Sequence, residues 1–313
     1  MTPVELSSPV YSNEEAARKH LEAIRWPDGV ICPHCGATED ARPLGGESMG
    51  AGWYYCAACK DKFTVRTGSI FERSHVPLHK WLLAFRLMAS SKKGISAHQL
   101  HRTLAVTYKT AWFMAHRIRE AMRPGDDGYK GGLGGKGKVV EADETFVGGK
   151  AKNRAYREPA KKEAVVSLVE REGKVRSFHV ANVTAKTLRP ILVTQIDRAS
   201  YLMTDEALTY ASVGGEFGGH GTVNHSINEY VRTGGFHHTN TVENYFSILK
   251  RGVIGTDHHV SEAHLKRYLG EFDFRYNERA ALGVDDATRT TRAIMGAEGK
   301  RLMCRQPDKG ANA

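Results

Sequence analysis

A chain of 313 residues, 41% hydrophobic and 26% charged, is long enough for two or three folded domains and has the composition of a globular protein, not a disordered one. Its net charge of +10 and pI near 9.3 favour a polyanionic partner, and no apolar run approaches the roughly 18 residues of a membrane span. Residues 1–9 lack a basic start followed by an apolar stretch, so they do not read as a secretory signal, and a cytoplasmic protein is expected.

Residues 12–25 read as a helix. Ser12 and Glu15 have capping-box spacing, Ala17, Leu21 and Ile24 form an apolar stripe, and Trp26-Pro27-Asp28-Gly29 ends it. Cys32-Pro33-His34-Cys35 and Cys56-Ala57-Ala58-Cys59 follow. Each pair can present two thiolates to one ion, and two such knuckles complete a tetrahedral site with no open position. Cys32, Cys35, Cys56 and Cys59 are therefore expected to hold a structural zinc, ahead of a rubredoxin-type iron or a redox dithiol. Trp53, Tyr54, Tyr55 and Phe63 are expected to form the small core of this ribbon. Lys60, Arg66 and Arg73 are either phosphate contacts or solvated surface charges.

Residues 77–122 carry a three-helix pattern. Leu78, Trp81, Leu82, Phe85 and Met88 fall at helical spacing, with Gly94 as the break. Ser96 and Gln99 have the spacing of a second capping box before Ala97, Leu100 and Leu104. Thr107 opens a third helix with Ala111, Ala115, Ile118 and Met122 on one face. Two short helices about a tight turn, after a supporting one, are the sequence form of a helix-turn-helix; a plain connecting bundle is the alternative. Lys109, at the start of the recognition helix, and Arg117, further along it, are expected DNA contacts. The glycine-rich stretch 125–138 reads as a flexible linker.

Beyond it the pattern turns to strands: 139–143, 164–169 and 175–180, then a helix over 184–196, a strand over 201–204 ending on Asp205, a short helix, a fifth strand over 221–225, and helices over 240–252 and 261–276. That order is the order of the ribonuclease-H-like fold, in which the first and fourth strands are neighbours. Asp143 and Asp205 then meet at adjacent strand ends, Glu243 lies on the following helix, and Lys250 is two turns along the same face. Three converging carboxylates repel one another unless cations lie between them, and oxygen-only ligands suit magnesium or manganese. Taken singly, Asp205 is a turn residue and Glu243 a helix-surface charge; together with Asp143 they suit two-metal phosphodiester chemistry, with Lys250 on a phosphate. The loop that follows Asp143 carries Lys150, Lys152, Arg154, Arg157, Lys161 and Lys162, placed to bind phosphates beside the site. His237, His238, His258 and His259 are read as hydrogen-bonding groups in preference to metal ligands.

The motifs Arg25-Trp26-Pro27-Asp28-Gly29 with Cys32-Pro33-His34-Cys35-Gly36, Thr67-Gly68-Ser69-Ile70-Phe71, Asp143-Glu144-Thr145-Phe146-Val147-Gly148-Gly149-Lys150, His238-Thr239-Asn240-Thr241-Val242-Glu243, Lys250-Arg251-Gly252 and Glu271-Phe272-Asp273-Phe274-Arg275-Tyr276-Asn277 carry a family resemblance. Over roughly residues 12–280 the chain resembles the zinc-ribbon DDE transposases of bacterial insertion sequences, the ISXO-two-like group. The resemblance implies a triad of Asp143, Asp205 and Glu243 followed by Lys250, with catalytic magnesium or manganese. It also implies movement of an element bounded by inverted repeats. Double-stranded DNA, as element ends and target, is the expected partner, bound by a homodimer or higher oligomer because two ends must be held together. The fold class expected is α+β multidomain: helix and zinc ribbon over 1–74, helix-turn-helix-like region over 75–124, linker over 125–138, ribonuclease-H-like α/β catalytic domain over 139–280, and a partly disordered C-terminal extension over 281–313. A nuclease that cuts without joining, and a zinc-ribbon regulator with an inactive catalytic half, are the competing functions.

Overall fold

The computed structural model describes residues 5–45, 49–125, 129–148, 162–223, 236–258 and 260–302. They fall into two compact units. One comprises the chain up to Ser91, Ile95–Arg123 and everything from Asp285 onward; the other comprises Lys92–Gly94 and Pro124–Val284.

In the first unit a 3-10 turn (Pro9–Tyr11) leads into helix α1 (Glu14–Arg25). The cap falls one residue later than expected. Ser12 closes the 3-10 turn by donating its N–H to the Pro9 carbonyl, which leaves Asn13 to accept the Ala16 N–H at 2.9 Å. Strands β1 (Ala41–Pro43), β2 (Trp53–Cys56) and β3 (Asp61–Thr64) form an antiparallel sheet in that order. Tyr54 pairs with Phe63 across β2 and β3, their rings stacked at 5.6 Å, and Trp26 stands edge-on to both. Trp26 takes the core place expected of Trp53, which is 37% exposed. Successive strand side chains face opposite ways, so stacking Tyr54 on Phe63 turns Trp53 outward.

Helices α2 (Leu78–Ser90), α3 (Ala97–Leu104) and α4 (Tyr108–Met122) bury the expected stripes except for Ala97, which is half-buried, with Phe71 edge-on to Trp81 at 5.5 Å. The α3–α4 turn places Ala105 at φ 49°, a left-handed conformation unfavourable for a residue with a Cβ, and Thr107 caps α4 through the Thr110 N–H.

Part of the stretch expected as a C-terminal extension, residues 285–302, is built into this unit, and residues 303–313 lie outside the described residues. Helix α9 (Asp286–Met295) packs on α2 and α4 and buries Ala293 and Ile294. Lys300 Nζ donates to the carbonyls of Glu120 and Ala121 at 3.0 and 3.1 Å, capping the end of α4. A Cβ on Gly296 would come within 2.3 Å of the Ala121 carbonyl oxygen, so glycine is required there. Residues 285–302 therefore complete the N-terminal unit.

The second unit is a five-stranded sheet of β4 (Val139–Val147), β5 (Glu163–Glu170), β6 (Val175–Val180), β7 (Tyr201–Asp205) and β8 (Gly219–Val223), in the order β6-β5-β4-β7-β8. β6, β5 and β4 are antiparallel, whereas β4, β7 and β8 are parallel. This is the ribonuclease-H-like order, with the first and fourth strands of the unit side by side. Helices α5 (Ala185–Gln195) and α6 (Leu208–Gly214) cover one face through Val140, Ala142, Val166, Leu168 and Leu202. Helices α7 (Asn240–Gly252) and α8 (Glu262–Asn277) cover the other through Val165, Val169 and Val175. The stretch expected to be a flexible linker is partly built into this unit. Leu133 is 2% exposed and bridges to Ile196, and Tyr129 donates to Asp273 at 2.6 Å. Among the described residues no helix is long and apolar enough to cross a membrane.

Candidate active site and metal clusters

The acidic site starts on β4, which runs four residues past its expected end, so Asp143 stands within the strand, opposite Ser167 of β5. The pairing Glu141–Met203 between parallel β4 and β7, continued two residues along each strand, brings Asp143 level with Asp205, the last residue of β7. Asp205 accepts the Ala207 N–H at 3.1 Å, the turn that ends β7. Glu243 lies in the first turn of α7 and accepts from Thr239 Oγ1 at 2.8 Å. The electrostatics of Asp143 register this company. Burial first, then the charges of Glu144, Asp205 and Glu243, push its carboxyl from 3.8 up to about 7, against a Glu144 N–H bond that pulls it down. Glu144 points to the other face of the sheet, where Tyr210 donates to it at 2.6 Å. Lys250 is exposed on the last turn of α7.

The three carboxylates fit a divalent cation by their donor set, all oxygen, and by the raised carboxyl of Asp143, which burial first and then the neighbouring acids hold above its usual range. Their oxygens do not lie within 4.8 Å of one another. Two groups of described residues do: the four cysteines, and Glu163, His179 and Glu262. In the ribbon, Cys32 Sγ and Cys59 Sγ are 3.7 Å apart and Cys35 Sγ and Cys56 Sγ 3.6 Å. A tetrahedron with Zn–S bonds of about 2.3 Å has edges of about 3.8 Å. The four thiols thus have the spacing that zinc requires. The second cluster has a simpler account, since His179 Nε2 and Glu163 Oε2 are hydrogen-bonded at 2.9 Å across adjacent strands.

Of the expected DNA contacts, Lys109 is exposed on the first turn of α4, beside Tyr108, whose ring stacks on His98 at 4.3 Å. Lys162 is exposed just before β5. Lys150, Lys152, Arg154, Arg157, Lys161 and His259 lie outside the described residues. Arg117 is a correction. It is 8% exposed, donates to the carbonyls of Ile70 at 2.6 Å, Glu72 at 3.2 Å and Leu302 at 3.1 Å, and packs on Phe113. A guanidinium committed to three carbonyls inside the fold has no face for a phosphate. Arg66 is likewise committed, to the carbonyls of Ser74 and Val76 and to Glu14.

Glu141 was given no role by sequence reasoning. It is fully buried, on the same face of β4 as Asp143, and it accepts from the N–H groups of Thr241 and Val242 at the start of α7. A charged residue two positions before Asp143 in an apolar strand was the one available signal.

The transposase zinc-ribbon domain matches residues 12–62 and the ISXO2-like transposase domain residues 133–277, together well over half of the chain. An uncharacterized protein in transposable element ISH50 of Halobacterium salinarum is 28% identical over 282 residues, covering 85% of this chain and 91% of that one. Two solved structures, the Mos1 transposase paired-end complex with left transposon end and a pre-cleavage Mos1 transpososome, are each 12% identical. They cover 68% and 64% of this chain and 74% and 71% of theirs. Their TM-scores of 0.29 and 0.28 are too low to bear on the fold. With both domains matched in the order in which the cysteine cluster and the acidic site occur, the chain belongs to the zinc-ribbon transposases with an ISXO2-like transposase domain.

Proposed function

We propose that this transposase binds the ends of its element as double-stranded DNA, cuts a strand by metal-dependent hydrolysis and joins the freed 3′-hydroxyl to target DNA. The observation that carries the reading is the Asp143 carboxyl, pushed to about 7 by burial and by neighbours that include Asp205 and Glu243. Such crowding is unfavourable in a resting protein and is relieved by a cation, which makes a functional site the better account. Asp143, Asp205 and Glu243 would hold magnesium or manganese. Bound there, the metal supplies activation of the attacking oxygen and stabilisation of the departing one. The chain's own residues do the rest. The carboxylates orient the site, Lys250 grips a phosphate from the same helical face as Glu243, and the exposed Lys109 and Lys162 add charge for the backbone. The four cysteines hold a structural zinc that keeps the ribbon folded. Assembly as a homodimer or higher oligomer on DNA follows from the need to hold two ends.

The test is nicking and strand transfer on a labelled duplex copied from the DNA that flanks the gene, with magnesium or manganese. Wild-type protein should nick and join, and Asp143→Ala, Asp205→Ala and Glu243→Ala should each do neither while still binding the duplex. Cutting without joining would reduce the protein to a nuclease. A Glu243→Ala protein that nicks at the wild-type rate would transfer the third position to another residue, Asn240 first.

A further inference from the structure

Helix α7 carries Glu243 yet has no side-chain cap of its own, and Thr239, at the capping position, donates its hydroxyl to Glu243 instead. The first N–H groups of a helix need acceptors when they are buried. Here they come from a neighbouring strand. Glu141 Oε2 accepts the Thr241 N–H at 2.8 Å and the Val242 N–H at 3.0 Å, and Oε1 accepts the Thr241 hydroxyl at 2.9 Å. A carboxylate with no solvent exposure needs a counter-charge, and Arg171, just past β5, donates Nε to Oε1 at 2.6 Å. The rest of that guanidinium donates to the carbonyls of Phe236 and His238 at 2.8 Å each, which ties the approach to α7 to the same point.

We propose that Glu141 is the positioning residue of the acidic site, holding the first turn of α7 against β4 and so setting where Glu243 stands relative to Asp143. The inference rests on the reading of Asp143, Asp205 and Glu243 as the metal-holding set. Its force lies in the shortness of the path. Asp143 is two residues from Glu141 along a rigid strand, and Glu243 follows Val242, whose N–H Glu141 grips. The negative charge also lies at the positive end of the α7 dipole, so the contact is favourable in itself. Residues that orient metal ligands without touching the metal typically change its affinity by about 10- to 100-fold when altered. Glutamine in place of Glu141 keeps the shape and fills the same space. Its amide nitrogen, however, must face either Arg171 Nε or the helix N–H groups, donor against donor, and the grip on α7 loosens without a cavity forming.

The experiment titrates manganese into full-length, zinc-loaded protein at pH 8, following free manganese by electron paramagnetic resonance, with melting curves on the same samples. Glu141→Gln should remain folded, bind manganese about tenfold more weakly, and need correspondingly more manganese for half-maximal nicking, with a rate near wild type at saturation. Thr241→Val, which removes only the hydroxyl donor, should shift the affinity in the same direction by less. Unchanged manganese affinity in folded Glu141→Gln overturns the proposal, as does a loss of nicking that is equal at every manganese concentration and tracks a lowered melting temperature. Should Glu141→Gln fail to fold, Thr241→Val decides, and wild-type affinity in that variant overturns it. Wild-type protein that binds no more manganese than Asp143→Asn does would end the metal-site reading itself, and this inference with it. That result is distinct from a wild-type site whose affinity is indifferent to Glu141.

Discussion

Asp143→Asn separates what the acidic site does from what it costs the fold. The wild-type carboxyl is raised from 3.8 to about 7, by burial first and then by Glu144, Asp205 and Glu243. A folded-state value above the unfolded one means that the folded chain holds this proton more tightly. The contribution to stability is therefore fully present below about pH 4 and lost as pH rises through about 7. At about 1.4 kcal/mol per pH unit, the span from 3.8 to about 7 bounds the loss at on the order of 4 kcal/mol. Water at this partly open site screens that to roughly 1–2 kcal/mol. Asparagine keeps the shape and drops the charge, so the variant should be more stable than wild type at pH 8. The lead should shrink as pH falls to 5, where wild-type Asp143 regains its proton.

The assay is scanning calorimetry of the full-length, zinc-loaded protein without added magnesium, at pH 5 and pH 8. For a unit of this size 1–2 kcal/mol corresponds to roughly 2–8 °C, well within resolution. Adding magnesium at pH 8 should then raise the wild-type transition by mass action and raise that of Asp143→Asn far less. A variant that melts with wild type at both pH values, or responds equally to magnesium, would refute the idea that Asp143 is the crowded member of a cation-holding cluster.

Other substitutions probe the first unit. Arg117→Ala leaves the carbonyls of Ile70, Glu72 and Leu302 without their donor and should cost about 2–4 kcal/mol in urea unfolding. Unchanged stability with a lower salt slope of DNA binding would return Arg117 to the DNA surface. Ile294→Ala, at 4% exposure in α9, should cost about 2–4 kcal/mol. A chain ending at residue 284 should lose the cooperative transition of the first unit, and melting like the full chain would show that α9 is dispensable. Cys32→Ser should abolish the zinc content measured by atomic emission and unfold the ribbon. Iron in place of zinc in the wild-type protein would overturn that assignment.

Much of this protein is written in short-range pattern. The two cysteine pairs, the stripes of α2, α3 and α4 and the alternating strands were legible because each depends on spacing within one short stretch, and the sheet order followed from the order of the elements. What local pattern could not carry was the identity of partners distant in sequence. Arg117 looks like a phosphate contact until Ile70, Glu72 and Leu302 bring their carbonyls to it. Residues 285–302 look like a tail until α2 and α4 bury them. Glu141 looks like one more charge beside Asp143 until a helix N-terminus 100 residues away needs an acceptor. In each case a buried charge or apolar face is stable only with a specific partner, and chain folding alone decides which partner arrives.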